Sequence, residues 1–258
     1  MLKHKNITVL FYVIVVLLFL LNFFIEVKWY WFLVVFAIRF IILMIGSSLI
    51  HLNFHLEAYC SNKLETQKKI AITFDDGPSL NTFLVLDLLR KHDVKATFFC
   101  IGKNIEKHPE ILEKINQEGH IIGNHSYSHS SFFDFYRKNK VLNELEITNA
   151  LIQTITNKKA RFFRPPYGVT NPSIRKALEV TGHKVIGWNI RSLDGIIKNE
   201  RIIYNRIINR LSPGAIILMH DTTLQSVNVL EKILLFLKEN NYSVIPLEQL
   251  LNINAYEN

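Results

Sequence analysis

Cysteine is scarce in this chain. Cys60 and Cys100 are the only two among 258 residues, so no disulfide framework staples the fold. Cys100 ends an apolar run, Ala96-Thr97-Phe98-Phe99-Cys100, and reads as a small buried hydrophobe. A Gly-rich phosphate loop is also missing, which argues against phosphate-ester chemistry. No block of consecutive basic residues interleaved with aromatics occurs, so nucleic acid is not expected as a partner despite a net charge of +8. There is no internal repeat and no low-complexity tract. What remains is enough chain for one large α/β domain or two small ones.

Long apolar runs, by contrast, are present, and they are confined to the amino-terminal quarter. Residues 7–25 are apolar apart from Thr8, Tyr12 and Asn22, about the length that crosses a bilayer as a helix. No small-residue cleavage site follows, so the segment is expected to stay on the chain. A second run, 29–50, opens with Trp29-Tyr30-Trp31, which suits an interfacial aromatic belt. Arg39 near its middle must snorkel, pair, or lie against protein or water. The simplest reading is a helical hairpin joined at Glu26-Val27-Lys28. Residues 1–61 are then a membrane-anchoring segment of one or two spans, and 62–258 a soluble domain. Lys3 and Lys5 put the amino terminus on the cytoplasmic side by the positive-inside rule. Two crossings return the domain to that side, whereas one crossing leaves it outside. Only two of the eight net positive charges fall in 1–61. The basic excess elsewhere suits an anionic surface such as lipid headgroups or a wall polymer.

From Lys69 onward short apolar runs alternate with longer helical patterns. Strands are expected at 70–74, 96–100, 120–123, 161–164, 184–188, 215–219 and 243–246. Helices are expected at 80–92, 103–118, 136–156, 172–181, 199–211 and 227–240. Asn171-Pro172 and Ser212-Pro213-Gly214 punctuate the pattern. Seven strands in alternation with helices argue for an α/β fold on a parallel sheet, open or closed into a barrel.

The reactive residues fall at the expected strand ends, where such folds keep their chemistry. Ile70-Ala71-Ile72-Thr73-Phe74 runs straight into Asp75-Asp76, and Gly77-Pro78 then turns the chain. His125 and His129, four apart after the third strand, are spaced as on one side of a helical turn and can reach one ion. With a strand-end Asp they make an Asp-His-His set that leaves coordination positions open. Arg164-Pro165-Pro166-Tyr167-Gly168 follows the fourth strand: the prolines lack donors, the Tyr167 N–H is free to face an oxyanion, and Arg164 can grip a carboxylate. Asp194 follows the fifth strand. His220-Asp221 ends the sixth, and His220 is either a satisfied core histidine or a general acid tuned by a carboxylate. Singly, each motif has an ordinary explanation as a turn cap or a solvated face. Their recurrence at successive strand ends favours a functional site.

These motifs resemble, in order, those of the polysaccharide deacetylase family (NodB-homology domain, carbohydrate esterase family four). The matching stretches are Thr73-Phe74-Asp75-Asp76-Gly77-Pro78, His125-Ser126-Tyr127-Ser128-His129, Arg164-Pro165-Pro166-Tyr167-Gly168, the segment with Asp194, and Leu218-Met219-His220. The resemblance implies a distorted (β/α) barrel and metal-dependent removal of acetyl groups from an N-acetylated carbohydrate: peptidoglycan, a chitin-like oligomer or an exported polysaccharide. It implies Asp76, His125 and His129 as ligands of a divalent metal, usually zinc, with cobalt, nickel or manganese compatible with the same donors. Asp75 would be the general base, oriented by Arg164. His220 would be the general acid, tuned by Asp194, and Tyr167 would offer its backbone N–H to the oxyanion. Two positions depart from the pattern. Arg191 stands where many members have a second Asp, and Gly195 where they have Trp. A non-catalytic carbohydrate-binding module, or deacylation of a lipid-linked sugar precursor, are the alternatives. A wall or exported substrate favours an extracytoplasmic, membrane-anchored enzyme.

Overall fold

The structure, a computed structural model, describes residues 3–257. It begins with α1 (His4–Leu21) and α2 (Tyr30–Ser48), both long and apolar enough to cross a membrane. They pack on each other through edge-on aromatics, with Phe11 and Phe36 ring centroids 5.0 Å apart. Arg39 lies against protein, its guanidinium 4.3 Å from the centre of the Phe11 ring. Most of the remaining apolar side chains, Phe19, Phe40 and Ile41 among them, project outward and are exposed. An apolar surface this continuous marks a lipid or protein contact rather than a water-facing one. The hairpin brings His4 back to the domain, where its N–H donates to the Phe54 carbonyl at 2.9 Å. The amino terminus and the domain therefore lie at the same end of the hairpin.

The domain is built from β1 (Ala58–Tyr59), β2 (Lys69–Gly77), α3 (Thr82–Lys91), β3 (Thr97–Cys100), α4 (Gly102–Lys107), α5 (Pro109–Gln117) and β4 (Ile121–Asn124). It continues through α6 (Lys138–Thr156), β5 (Phe162–Phe163), α7 (Pro172–Thr181), β6 (Lys184–Ile186), β7 (Ile190–Arg191), α8 (Glu200–Ile208), β8 (Ile216–His220), α9 (Leu224–Glu239), β9 (Ser243–Val244) and α10 (Leu247–Leu251). The strand order is β1-β6-β5-β4-β3-β2-β8-β7, with β9 beside the start of β2, and every strand pairing is parallel. The stretch from Lys184 to Arg191 pairs with β5 at its beginning and with β8 at its end. The sheet thus curls round on itself as the distorted barrel expected. All seven expected strands are present.

The differences are local. β1 and β7, each two residues long, are not among the expected strands. β1 lies inside the stretch read as anchoring segment, yet it pairs with β6. The single helix expected over 103–118 is two, α4 and α5, with His108 between them at φ −136°. Pro109 is the cause: it lacks an N–H, and its ring pushes the preceding residue out of the helical region.

Alternation along β2 decides where the chemistry goes. Ile70, Ile72 and Phe74 face the helices and join the main core with Phe98, Ile217 and Ile233. Ala71 belongs to the other cluster, with Phe99, Phe162, Ile186 and Ile216. The period of two puts Thr73 and Asp75 on that same inner side, ending at the carboxyl mouth of the barrel. Gly123 permits this filling, because a Cβ there would collide with the Phe99 ring.

Candidate active site

The mouth is organised by the end of β2. Pairing with β3 shifts register between Asp75 and Gly77, and Asp76 sits at φ +71°, a region side-chain-bearing residues seldom occupy. This bulge turns two neighbouring carboxylates in different directions. Asp75 points into the barrel and Asp76 toward the rim.

Asp75 Oδ1 accepts from Arg164 Nη1 at 2.6 Å, and the pair is almost wholly buried. Every edge of the guanidinium is engaged. Nη1 also reaches Thr73 Oγ1 at 2.8 Å, Nε donates to the Ile186 carbonyl and Nη2 to the Gly187 carbonyl. The Phe99 ring centre lies 4.1 Å from its central carbon. Burial alone lowers the Arg164 pKa, and the Asp75 charge opposes that. The carboxylate of Asp75 consequently has one orientation.

Asp76 faces two imidazoles. His125 Nε2 and His129 Nε2 each lie 3.4 Å from Asp76 Oδ1, and one donor atom from each of the three residues falls within 4.8 Å of the others. His125 Nδ1 meets the Arg164 carbonyl at 2.7 Å, which turns Nε2 toward the group. The loop carrying the histidines is not the helical turn their spacing suggested. Positive φ at Ser126 and His129 folds it back, and the ring centroids come within 4.8 Å. Glu144 of α6 clamps the loop by accepting from the Tyr127 and Ser128 N–H groups and from Ser128 Oγ. Although burial pushes it up, the nearby imidazole of His125, with the charges of His129 and His220, holds the Asp76 carboxyl well below its usual range. Asp76 Oδ1 is buried without a hydrogen-bond partner. An anionic oxygen left short of a donor, facing two imidazole nitrogens, suits a divalent cation, and one carboxylate with two imidazoles is a donor set for zinc-like metals.

The opposite flank is supplied by β7 and β8. His220 Nδ1 lies 2.7 Å from Asp194 Oδ1, and its backbone N–H donates to Asp194 Oδ2 at 2.9 Å. Ser192 Oγ donates to the same carboxylate at 2.6 Å. Burial works against protonation of His220, but the hydrogen bond and charge of Asp194 outweigh it and raise the pKa to about 9. His220 Nε2 points at Asp76 Oδ2 from 3.7 Å.

Tyr167 stands on the β5 rim at φ +58°, in a turn closed by Gly168 N–H to the Pro165 carbonyl, with its ring 4.9 Å from that of His129. All eight expected site residues therefore gather at one mouth. Except for the buried Arg164 and Asp194 behind it, they line a single cavity of about 340 Å³. Arg191 lines it too, its guanidinium 5.6 Å from the Trp188 ring centre, and exposed Gly195 leaves the space beside His220 open.

Sequence reasoning missed three supports. Thr73, Glu144 and Asp221 are polar, buried and bonded to the reactive stretches. Asp221 faces away from His220: it accepts from Thr82 Oγ1 at 2.5 Å, lies against Gly77, and burial pushes its pKa up to about 7. Its place directly after His220 was the only available signal.

Comparison with known proteins agrees with this geometry. The family model described as polysaccharide deacetylase matches residues 62–186. A peptidoglycan-N-acetylglucosamine deacetylase of Bacillus cereus is 38% identical over 187 residues, covering 68% of this chain and 68% of the relative. A second such deacetylase of that organism is 37% identical, covering 74% and 70%. Among solved structures, the Bc1960 peptidoglycan N-acetylglucosamine deacetylase superposes with a TM-score of 0.72 at 31% identity, over 77% of this chain and 94% of that one. The chain belongs to the polysaccharide deacetylase family, the CE4 esterases. That family also holds a pseudoenzyme, BA3943 of Bacillus anthracis, similar at 29% identity with a TM-score of 0.67, over 72% of this chain and 66% of that one.

Proposed function

We propose that the protein is a membrane-anchored, metal-dependent N-deacetylase of a cell-wall glycan. One observation carries the reading: the Asp76-His125-His129 group lies between a fixed carboxylate, Asp75, and a protonatable imidazole, His220, in one open cavity. The three ligands would hold a divalent cation, which when bound supplies Lewis-acid polarisation of an acetyl carbonyl and acidifies water.

The chain's own residues do the rest. Asp75, aimed by Arg164, takes the proton from the attacking water. The Tyr167 N–H donates to the oxygen on which negative charge develops. His220 delivers a proton to the departing nitrogen, without which an amine leaves poorly, and Asp194 keeps that proton available near neutral pH. The imidazole reaches the cavity through Nε2, because Nδ1 is taken by Asp194.

Peptidoglycan is the favoured substrate class because the two Bacillus cereus relatives are named for it. Such a substrate favours the extracytoplasmic face, against the cytoplasmic side that Lys3 and Lys5 favour for an amino terminus at the same end of the hairpin. The amino terminus and the domain share one end of the hairpin, so a reporter fused to the amino terminus reports the side of both. Acetate release from N-acetylglucosamine oligomers by the full chain in detergent, with zinc or cobalt, tests the activity. The wild type should release acetate only with metal, and His125→Ala should lose about 10²-fold or more of the rate. Release of no acyl group from any glycan, at any metal concentration, would instead favour a binding module like the pseudoenzyme.

A further inference from the structure

The second loop of the mouth carries a segment that the active site does not use: Phe132-Phe133-Asp134-Phe135-Tyr136-Arg137-Lys138-Asn139-Lys140. Phe133 is buried and anchors the turn, while Phe132 is 67% and Phe135 82% exposed. Neither exposed ring lines the cavity. Two large aromatics facing water with no substrate to cover them have an unfavourable position unless something apolar meets them. Three cations follow at once. Arg137, Lys138 and Lys140 crowd the first turn of α6, which holds no acidic residue. A helix amino terminus is where the backbone dipole disfavours positive charge, so helix stability does not explain them.

The hairpin ends beside this segment. The Thr170 N–H donates to the Ser47 carbonyl at 2.9 Å, at the last turn of α2. The next residue, Asn171, donates through Nδ2 to the Asp134 carbonyl at 2.7 Å. A short chain of hydrogen bonds thus runs from the end of the second apolar helix to the turn that presents Phe132 and Phe135. Aromatics at the end of a span, followed by a basic cluster, are the combination that sits among anionic headgroups.

We infer that residues 132–140 form an interfacial membrane contact, with Phe132 and Phe135 in the headgroup region of an anionic bilayer. This rests on the hairpin being embedded, as proposed above. The consequence concerns substrate: the loop that carries the aromatics also carries His125 and His129, so the catalytic mouth is held at the lipid surface and works on glycan close to it. The single-residue step from Thr170 to Asn171 leaves the mouth little freedom to swing away.

Depth-dependent fluorescence quenching on the full chain in phosphatidylglycerol-containing nanodiscs tests it. A bimane label is placed on Phe135→Cys, on Leu17→Cys within α1, and on Leu64→Cys, which lies on the loop entering β2 at the far end of the barrel and is 90% exposed. Cys60→Ser serves as background, and Cys100 is fully buried. The expected pattern is deep-lipid quenching at position 17, shallow-lipid quenching at 135 and none at 64, with the signal at 135 reduced when the anionic lipid is replaced by phosphatidylcholine. Quenching at 17 with 135 behaving like 64 overturns the interfacial contact and leaves the anchor intact. Absence of quenching at 17 removes the anchor and the contact together. A label at 135 that responds to N-acetylglucosamine oligomer and to no lipid assigns the aromatics to glycan and also overturns the inference.

Discussion

The two flanks of the mouth hold the same kind of object, a carboxylate against a cation, and use it in opposite ways. On the β2–β5 flank, Asp75 and Arg164 are buried, and three further hydrogen bonds occupy the guanidinium. Neither side chain of that pair is free to turn. On the β7–β8 flank, Asp194 is buried but His220 is partly open to the cavity, and only one of its ring nitrogens is occupied. The first pair fixes the direction of a carboxylate; the second is a place to keep a proton. The difference comes from the cation. Guanidinium stays charged at any working pH and fills a fork of acceptors, whereas imidazole changes charge in a range its neighbour can tune.

Breaking the first pair should have the largest effect. Among the described residues, Arg164→Met removes the only cation within salt-bridge distance of Asp75 that is not an imidazole, and strands a buried carboxylate. A loss of about 3–5 kcal/mol is expected. For a domain of this size that is a fall in Tm on the order of 10 °C, with activity abolished. Thermal unfolding of the full chain in detergent checks it. An unchanged Tm would mean the pair is not the fixed element described.

Breaking the second pair should leave the fold and move a pH limb. With Asp194 in place the His220 pKa is raised to about 9, so the acid is protonated below that pH and lost as pH rises through it. Asp194→Asn removes the main raising influence, so the folded-state pKa falls toward the ordinary histidine value. The alkaline limb of kcat should then shift to lower pH, with a loss of about 10-fold or more at pH 8 and less at pH 6. A uniform loss at all pH values would argue that Asp194 positions the ring and does not tune it.

The smallest effect belongs to the space beside the second pair. A Cβ at Gly195 would meet His220 Nδ1 at 3.8 Å, an ordinary contact. Gly195→Ala should change kcat little, because an ordinary van der Waals contact leaves the His220 ring where it is. Gly195→Trp, which restores the side chain many family members carry, should alter KM for oligomers more than kcat. Steady-state kinetics on the two variants separate these effects.

Much of this was legible in the chain. The β-prone runs 70–74 and 215–219 lie next to each other in the sheet, and the reactive residues sit where those runs stop. The hairpin is legible for the opposite reason, since two apolar runs long enough to span a bilayer as helices need no alternation to be read. What sequence could not give is conformation that depends on single residues. The His125–His129 spacing suggests a helical turn, yet positive φ at Ser126 and His129 makes a folded-back loop, stabilised by Glu144 from a helix 15 residues after His129. Asp76 at φ +71° is equally invisible in composition. The break at His108 was legible in Pro109 and was simply outweighed by the apolar periodicity around it. Arg164 illustrates the remaining limit. Its motif was plain, but the Ile186 and Gly187 carbonyls that fix it come from a strand 22 residues on.

The proposed chemistry requires Asp76, His125 and His129 to gather one cation, and metal content at equilibrium reads that directly. The full chain, purified in detergent and dialysed against dilute zinc, should retain about one equivalent, and Asp76→Ala with His129→Ala should retain none while keeping the wild-type Tm of its metal-free form. Wild type without bound metal, or a double variant that still binds a full equivalent, would contradict it.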